Sequence, residues 1–474
     1  MVLPRVHRPA TAGLVSLALL VAGAASVAAH DVDQAGQGSY VAPEVVEPSP
    51  PTGAYLRGAK ATPHEVWLVD QSNTAVDAGA GYGGRIHIYD GVELRDDASS
   101  AASEVVELGG ATAALCRTAT GANPVRPHML YFTSDQTHAV LSFVASGHVV
   151  VLDALDRQPL ACFRTEVGAG SARQAHAAVP TPDDRFILVA NQNGKKFERI
   201  RTDYATGTFV QEPAATLDLT AGTTPSGAPR QTPNDPSVRP DNAPICPFVP
   251  STGYPAFVSL RGGGLFAVDH GATPMRIVAE YTATQVARDG CGFTEVDGWV
   301  YGNGGSNPGN LAGWFVYRLP AGGPETYAAT NPPGTPTVEV VDRDASGPRD
   351  AHGVVAVRDR YVWAFDRAAH VVQVYRADSA ATVATVNLRT EGSQAPAPDI
   401  VAASPDGWAV YAATRGPNPL TGTHAAVGDA PGVMVLEIQR DGRLAAVRGH
   451  AAVTNVVAGV ERADPHGIAV RRTG

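Results

Sequence analysis

The chain is expected to fold as an all-β protein, a seven-bladed β-propeller with four-stranded blades, closed by the C-terminal strand completing the N-terminal blade. Three observations lead there: a composition of many short strands and turns, a unit that recurs along the chain, and a strand at the C-terminus with nothing after it to pair with. The 50 glycines and 37 prolines are spread through 474 residues, and the apolar runs between them are short and rich in Val, Ile, Phe and Tyr. Short β-branched and aromatic runs punctuated by turn residues read as strands.

The recurring unit is clearest in "HMLYFTSDQTHAVLSFVASGHVVVLD" from His128 and "HAAVPTPDDRFILVANQNGKKFERI" from His176. Each gives a strand, a turn holding an aspartate (Asp135 or Asp183), a second apolar strand, a polar loop and a third strand. The same register fits "DIVAASPDGWAVYAATRG" from Asp399, with Asp406 in the turn, and "CPFVPSTGYPAFVSLRGGGLFAVD" from Cys246. Weaker copies start at Cys291 and His352, which makes six units. The seventh is split. "EVWLVDQSNTAV", "GRIHIYDG" and "SEVVELGG" supply a second, third and fourth strand near the N-terminus, and "HGIAVRR" at the C-terminus supplies the missing first one. Zipping the tail into the first blade closes the circle and leaves no open edge. Seven blades over residues 64–474 take about 59 residues each, above the usual 40–50, and Pro/Gly-rich loops starting at Thr223, Pro320 and Arg415 hold the surplus.

Ahead of the propeller, residues 1–29 read as a signal peptide, with Arg5 and Arg8 before an apolar run and small residues suited to cleavage after Ala28 or Ala29. The run is interrupted by Gly23 and Ser26 and is short for a bilayer of about 30 Å. A Pro/Gly-rich flexible lead-in follows over residues 30–63. The expected location is therefore secreted or periplasmic, without membrane insertion after cleavage. A net charge of −10 with no basic stretch excludes nucleic acid and anionic membranes as main partners. A monomer is expected. Four cysteines in an exported chain are most simply two disulfides.

The units resemble the YVTN-type seven-bladed β-propellers, most nearly in "FILVANQNG" and "VWLVDQSNTAV", although the four-letter signature itself is absent. The resemblance implies an exported or surface-located propeller, often without assigned chemistry. Such propellers host binding modules, lactonase-like hydrolases and cofactor enzymes alike, so function has to be argued from the site.

First strands line a propeller's channel, so the residues that open them face one another. In spatial order they are His466, His128, His176, Cys246, Cys291, His352 and Asp399, and every one can ligate a metal. Imidazole with carboxylate suits a transition metal, and calcium or magnesium would want mostly oxygen. One ion is expected, zinc or copper first and iron next, held by His128, His176, His352 and His466. Asp399 is the fifth ligand or a water-orienting base, and so the candidate catalytic residue. Nitrous oxide reductase, carotenoid-cleaving oxygenases and peptide-amidating lyases are similar in ligand placement only. For any single histidine the plainer account is hydrogen bonding to backbone in a watery channel; four in register with an aspartate favour the metal.

Cys246 and Cys291 open neighbouring blades and are expected to form a disulfide, leaving Cys116 with Cys162; kept reduced, Cys246 and Cys291 would be thiolate ligands instead. Asp350 and Asp464, like Asp289, stand two residues before the ring position, with glycine directly after it. They serve either to accept the second ring N–H of a histidine or as turn residues. Loops on the same face carry Asn191, Asn193, Lys195, Arg261, Asn303, Arg415 and Asn418, a rim suited to an oxygen-rich or anionic small ligand, or simply solvated loop residues. His148 and His370 read as structural, and His138 as lying outside the channel. Three functions stay open: a metal-dependent enzyme on a small oxygen-rich substrate, an extracytoplasmic carrier that exchanges its metal with a partner, and a metal-free module for a partner protein or glycan.

Overall fold

Seven antiparallel blades of four strands, one of them with a short fifth strand at Leu217–Asp218, make up the computed structural model, which describes residues 61–220, 239, 241–305, 313–327, 336–344, 348–419 and 427–473. Blade 1 is ordered Pro465–Arg472, His64–Asp70, Arg85–Asp90, Ser103–Glu107 from the axis outward, so the C-terminal strand is the innermost strand of the N-terminal blade. The other innermost strands are Pro127–Phe132, Ala175–Pro180, Pro244–Phe248, Phe293–Val296, Ala351–Val357 and Pro398–Ala403. Residues 1–29, expected to be a signal peptide, and most of the lead-in lie outside the described residues, as does much of the three long loops. No described helix is long and apolar enough to cross a membrane.

The strand pattern follows from burial on both faces of every blade. Along His64–Asp70, Val66 and Leu68 pack against blade 7, while Trp67 and Val69 pack against blade 2. Ile187 and Val189 likewise face blade 2, and Phe186 and Leu188 face blade 4. A two-residue period with both sets apolar reads as one continuous hydrophobic run, which is what these segments show. Seven such apolar interfaces join neighbouring blades, including one between blades 7 and 1. An open fan of seven would have six, so the ring is closed by packing as well as by pairing.

The aligned aspartates do turn chemistry. Asp135, Asp183 and Asp406 accept from Thr133, Thr181 and Ser404 at 2.7, 2.6 and 2.7 Å, fixing the turn between first and second strands. Sequence patterning missed two helices, α1 (Gly91–Asp97) and α2 (Ala111–Thr120), and two small hairpins. α1 is capped by Asp90, whose carboxylate accepts from the amides of Val92 and Glu93. α2 covers the outer edge of blade 2, where Cys116 is joined to Cys162 on the strand Pro159–Arg164. The second disulfide joins Cys246 to Cys291, so both expected pairings form and the thiolate alternative does not apply to the protein as it stands.

Candidate metal centre

Ring residues are aimed by a local fault repeated around the axis. In six blades the ladder between first and second strands slips at the ring position: across His128, His176, Cys246, His352, Asp399 and His466. Bulges re-aim a side chain and recur beside functional sites. Glycine after the ring residue makes the convergence possible. A Cβ on Gly292, Gly353 or Gly467 would overlap the carbonyl oxygen of His352, Asp399 or His128 in the next blade. The glycines thus remove crowding at the axis, as their position in the sequence suggests.

Asp399 is the hub. It is fully buried; its Oδ2 accepts from Nδ1 of His466 at 2.6 Å, and its Oδ1 stands 3.1 Å from Nε2 of His352 and from a guanidinium nitrogen of Arg367. The His352 approach lacks hydrogen-bond alignment. Arg415 stands 3.5 Å from Oδ2. Burial pushes the Asp399 carboxyl up, but His352 when protonated and the standing charges of Arg367 and Arg415 outweigh it and hold the group below the ordinary carboxylate range. Burial drives His352, His466 and His128 well below the usual histidine value, reinforced by Arg367 at His352, by Arg415 at His466 and by the other ring histidines at His128. An ionised carboxylate among neutral imidazoles is the protonation state a metal needs.

The five expected ligands are brought to one place but not to one point. Ligand atoms of His352, Asp399 and His466 lie within 4.8 Å of one another. His128 donates through Nδ1 to Oε1 of Gln71 at 2.8 Å, and its ring is stacked on His466, centroids 3.9 Å apart and planes within 9°. Metal–imidazole bonds lie in the ring plane, so two parallel rings cannot both bind one ion until one turns. His176 sits on the far side, edge-on to His128 at 4.6 Å and 3.6 Å from Sγ of Cys246. Nε2 of His128 and of His466 are buried and find no hydrogen-bonding partner among the described residues.

The acids flanking the ring are paired with arginine. Asp350 accepts twice from Arg367, at 2.7 and 3.0 Å, and Asp464 accepts from Arg415 at 2.8 Å on each oxygen. A bidentate guanidinium satisfies a buried carboxylate better than one ring N–H can, and the carboxylate that orients an imidazole is Asp399. The expected rim is largely absent. Asn191 is fully buried, binding Glu198, the carbonyl of Glu166 and loop amides, and Asn303 binds the carbonyl of His352 from inside the fold. Arg415 belongs to the core of the site, Lys195 pairs with Asp241, and Asn418 donates to the carbonyl of Glu461. Asn193 and Arg261 alone of the proposed rim are exposed. His148 is buried between Ser146 and Thr120, and the ring of His370 accepts from the amide of Ala397, both structural.

Sequence reading missed Arg367 and Gln71. Both stand one residue past a second strand, in "WAFDR" and "LVDQ", at the position that Arg415 holds in "YAATR". That shared register was the available signal.

Two consequences are measurable. His138 lies on a second strand with its ring tilted over Tyr204, centroids 4.7 Å apart, so His138→Ala is expected to leave metal content unchanged by elemental analysis. Protons compete with a metal for imidazole, and an ordinary histidine protonates below about 6.5. Burial, with Arg261 adding to it, lowers His176 to about 4, and the other three are also depressed. Fewer protons are bound at any pH between the folded and ordinary values, so zinc affinity is expected to hold near pH 5.5 and fail only below it. Equilibrium dialysis at neutral pH and at about pH 5.5 checks this; a tenfold weakening at the lower pH contradicts it.

No protein-family model matches the chain, and no curated protein is similar to it in sequence. Solved structures are similar in fold. A protein from Lactobacillus plantarum matches at TM-score 0.54 and 9% identity, over 86% of this chain and 99% of that one. A "putative 6-phosphogluconolactonase" from Bacteroides uniformis matches at 0.52 and 13%, over 86% and 99%. A "functionally unknown protein" from Desulfotomaculum acetoxidans matches at 0.50 and 12%, over 87% and 99%. At these identities the likeness is one of fold, and the site has to speak for itself.

Proposed function

We propose that this propeller binds one transition-metal ion, zinc or copper first, at its axial ring and serves as an extracytoplasmic metal carrier. The observation that carries the reading is the His352–Asp399–His466 cluster. Nε2 of His352 and Oδ1 of Asp399 stand 3.1 Å apart without a hydrogen bond, close to the separation of two ligand atoms with bonds of roughly 2.0–2.2 Å to one ion. The other carboxylate oxygen lies 2.6 Å from Nδ1 of His466, the atom through which that ring would reach the same ion in place of the hydrogen bond. Gln71 holds Nδ1 of His128 and leaves Nε2 as its basic atom, so His128 is the fourth ligand once its ring leaves the stack.

Burial favours a carrier over an enzyme. Asp399 is 0% exposed, His466 3% and His352 6%, and the residues expected to form a substrate rim are mostly engaged in holding the loops. An ion can leave such a site by exchange of ligands, while a sugar-sized lactone, the substrate class suggested by the Bacteroides uniformis neighbour's name, would need the ring to open. Export, expected from residues 1–29, would place that exchange outside the membrane.

The test is hand-over. Zinc-loaded protein mixed with a fluorescent chelator is expected to deliver about one equivalent within minutes and to hydrolyse no lactone. An ion retained for hours, together with zinc-dependent lactone turnover, would establish the enzyme reading instead.

A further inference from the structure

We propose that His176, Cys246 and Cys291 form a second metal site on the opposite side of the channel, closed while the disulfide is intact and opened by its reduction. Their ligand atoms lie within 4.8 Å of one another, and Nδ1 of His176 is 3.6 Å from Sγ of Cys246. The two disulfides differ in this respect. Cys116–Cys162 sits in the apolar interface of blades 1 and 2, and among the described residues no cluster of metal-ligating groups includes it. Cys246–Cys291 stands beside His176 and clusters with Met129 and Ala177 of neighbouring first strands. Breaking it therefore creates ligands beside an imidazole.

The chemistry is a two-electron reduction. A dithiol supplies two electrons and two protons, the S–S bond becomes two thiols, and the reductant departs as its own disulfide. A metal then displaces the thiol protons, since the thiolate is the ligand form. The Cα atoms are 5.1 Å apart, so rotation of the side chains can present both sulfurs to one ion with Zn–S bonds of about 2.3 Å. The surroundings are apolar: Met129 and Ala177, with Tyr131, Phe293 and Ile400 packed against them. Two soft thiolates and one imidazole there select zinc, cadmium or copper(I) over harder ions. His128 belongs to the ion at Asp399, so water or an exogenous ligand completes the fourth position here. The site does not depend on the ion proposed at Asp399.

Cadmium is the probe. The oxidised protein should show no thiolate-to-cadmium charge-transfer absorption. After dithiol treatment and anaerobic removal of the reductant, one more ion per chain should bind with that absorption. The Cys246→Ser/Cys291→Ser variant, which keeps Cys116 and Cys162, should lose the band entirely, and His176→Ala should weaken binding at least tenfold. In His352→Ala the band should persist, so failure of the Asp399 site and failure of this one are separable. Absence of the band in reduced protein overturns the proposal, as does its survival in the double serine variant. Loss of the propeller's β-sheet circular dichroism on reduction overturns it too, because the site exists only in the folded ring.

Discussion

A chain ending at Ala463 is expected to be insoluble, or to melt far below the complete protein. The strand lost, Pro465–Arg472, pairs with His64–Asp70 over six register positions and is the axial strand of blade 1. Its removal uncovers the edge of His64–Asp70 and takes Ile468 from the interface that closes blade 7 onto blade 1. It also removes His466 from the ring, and Asp464, the bidentate partner of Arg415, goes with it when the chain stops at Ala463. One seam of seven fails, and a closed ring becomes an open fan. Expression yield and thermal melting decide the matter; unchanged melting would contradict the closure.

Arg415→Met is expected to cost about 3–5 kcal/mol, the usual result of removing one partner from a buried ion pair. The arginine is 0% exposed, grips both oxygens of Asp464 at 2.8 Å and lies 3.5 Å from Asp399. Without it two buried carboxylates lose a counter-charge, and Arg367 is left to serve Asp399 and Asp350 together. Such a loss is a large part of an ordinary stability of about 5–15 kcal/mol. Adding Asp464→Leu should recover much of it, because replacing both partners of a buried pair by apolar groups is often nearly neutral. Urea unfolding measures both; a loss below about 1 kcal/mol in the single variant would show that the pair carries little.

Strands were legible because both faces of each blade are buried, which writes short continuous apolar runs such as "FILVAN" and "VWLVD" between turn residues. The ring was legible because first strands repeat in register, so seven potential ligands at one position stand out whatever the loop lengths. The arginines were harder. Arg367 and Arg415 follow second strands in loops where a solvated cation is the ordinary expectation, and only the third dimension shows them turned inward onto Asp350, Asp399 and Asp464. Asn191 and Asn303 misled for the related reason that a strand-end amide can serve backbone as readily as ligand. Helix α2, "ATAALCRTAT", has too weak an apolar stripe to declare itself among strands, and it is held by one disulfide and its packing on blade 2.

Metal content per chain decides whether the axial ring holds a transition-metal ion. Protein purified without chelators and then dialysed against zinc at neutral pH should carry close to one ion by elemental analysis. His466→Ala and Asp399→Asn should each remove most of that ion while circular dichroism still reports the folded propeller. A wild-type protein that takes up no zinc, or folded variants that keep the full complement, would contradict the account and leave the buried histidines as structural parts of a binding propeller.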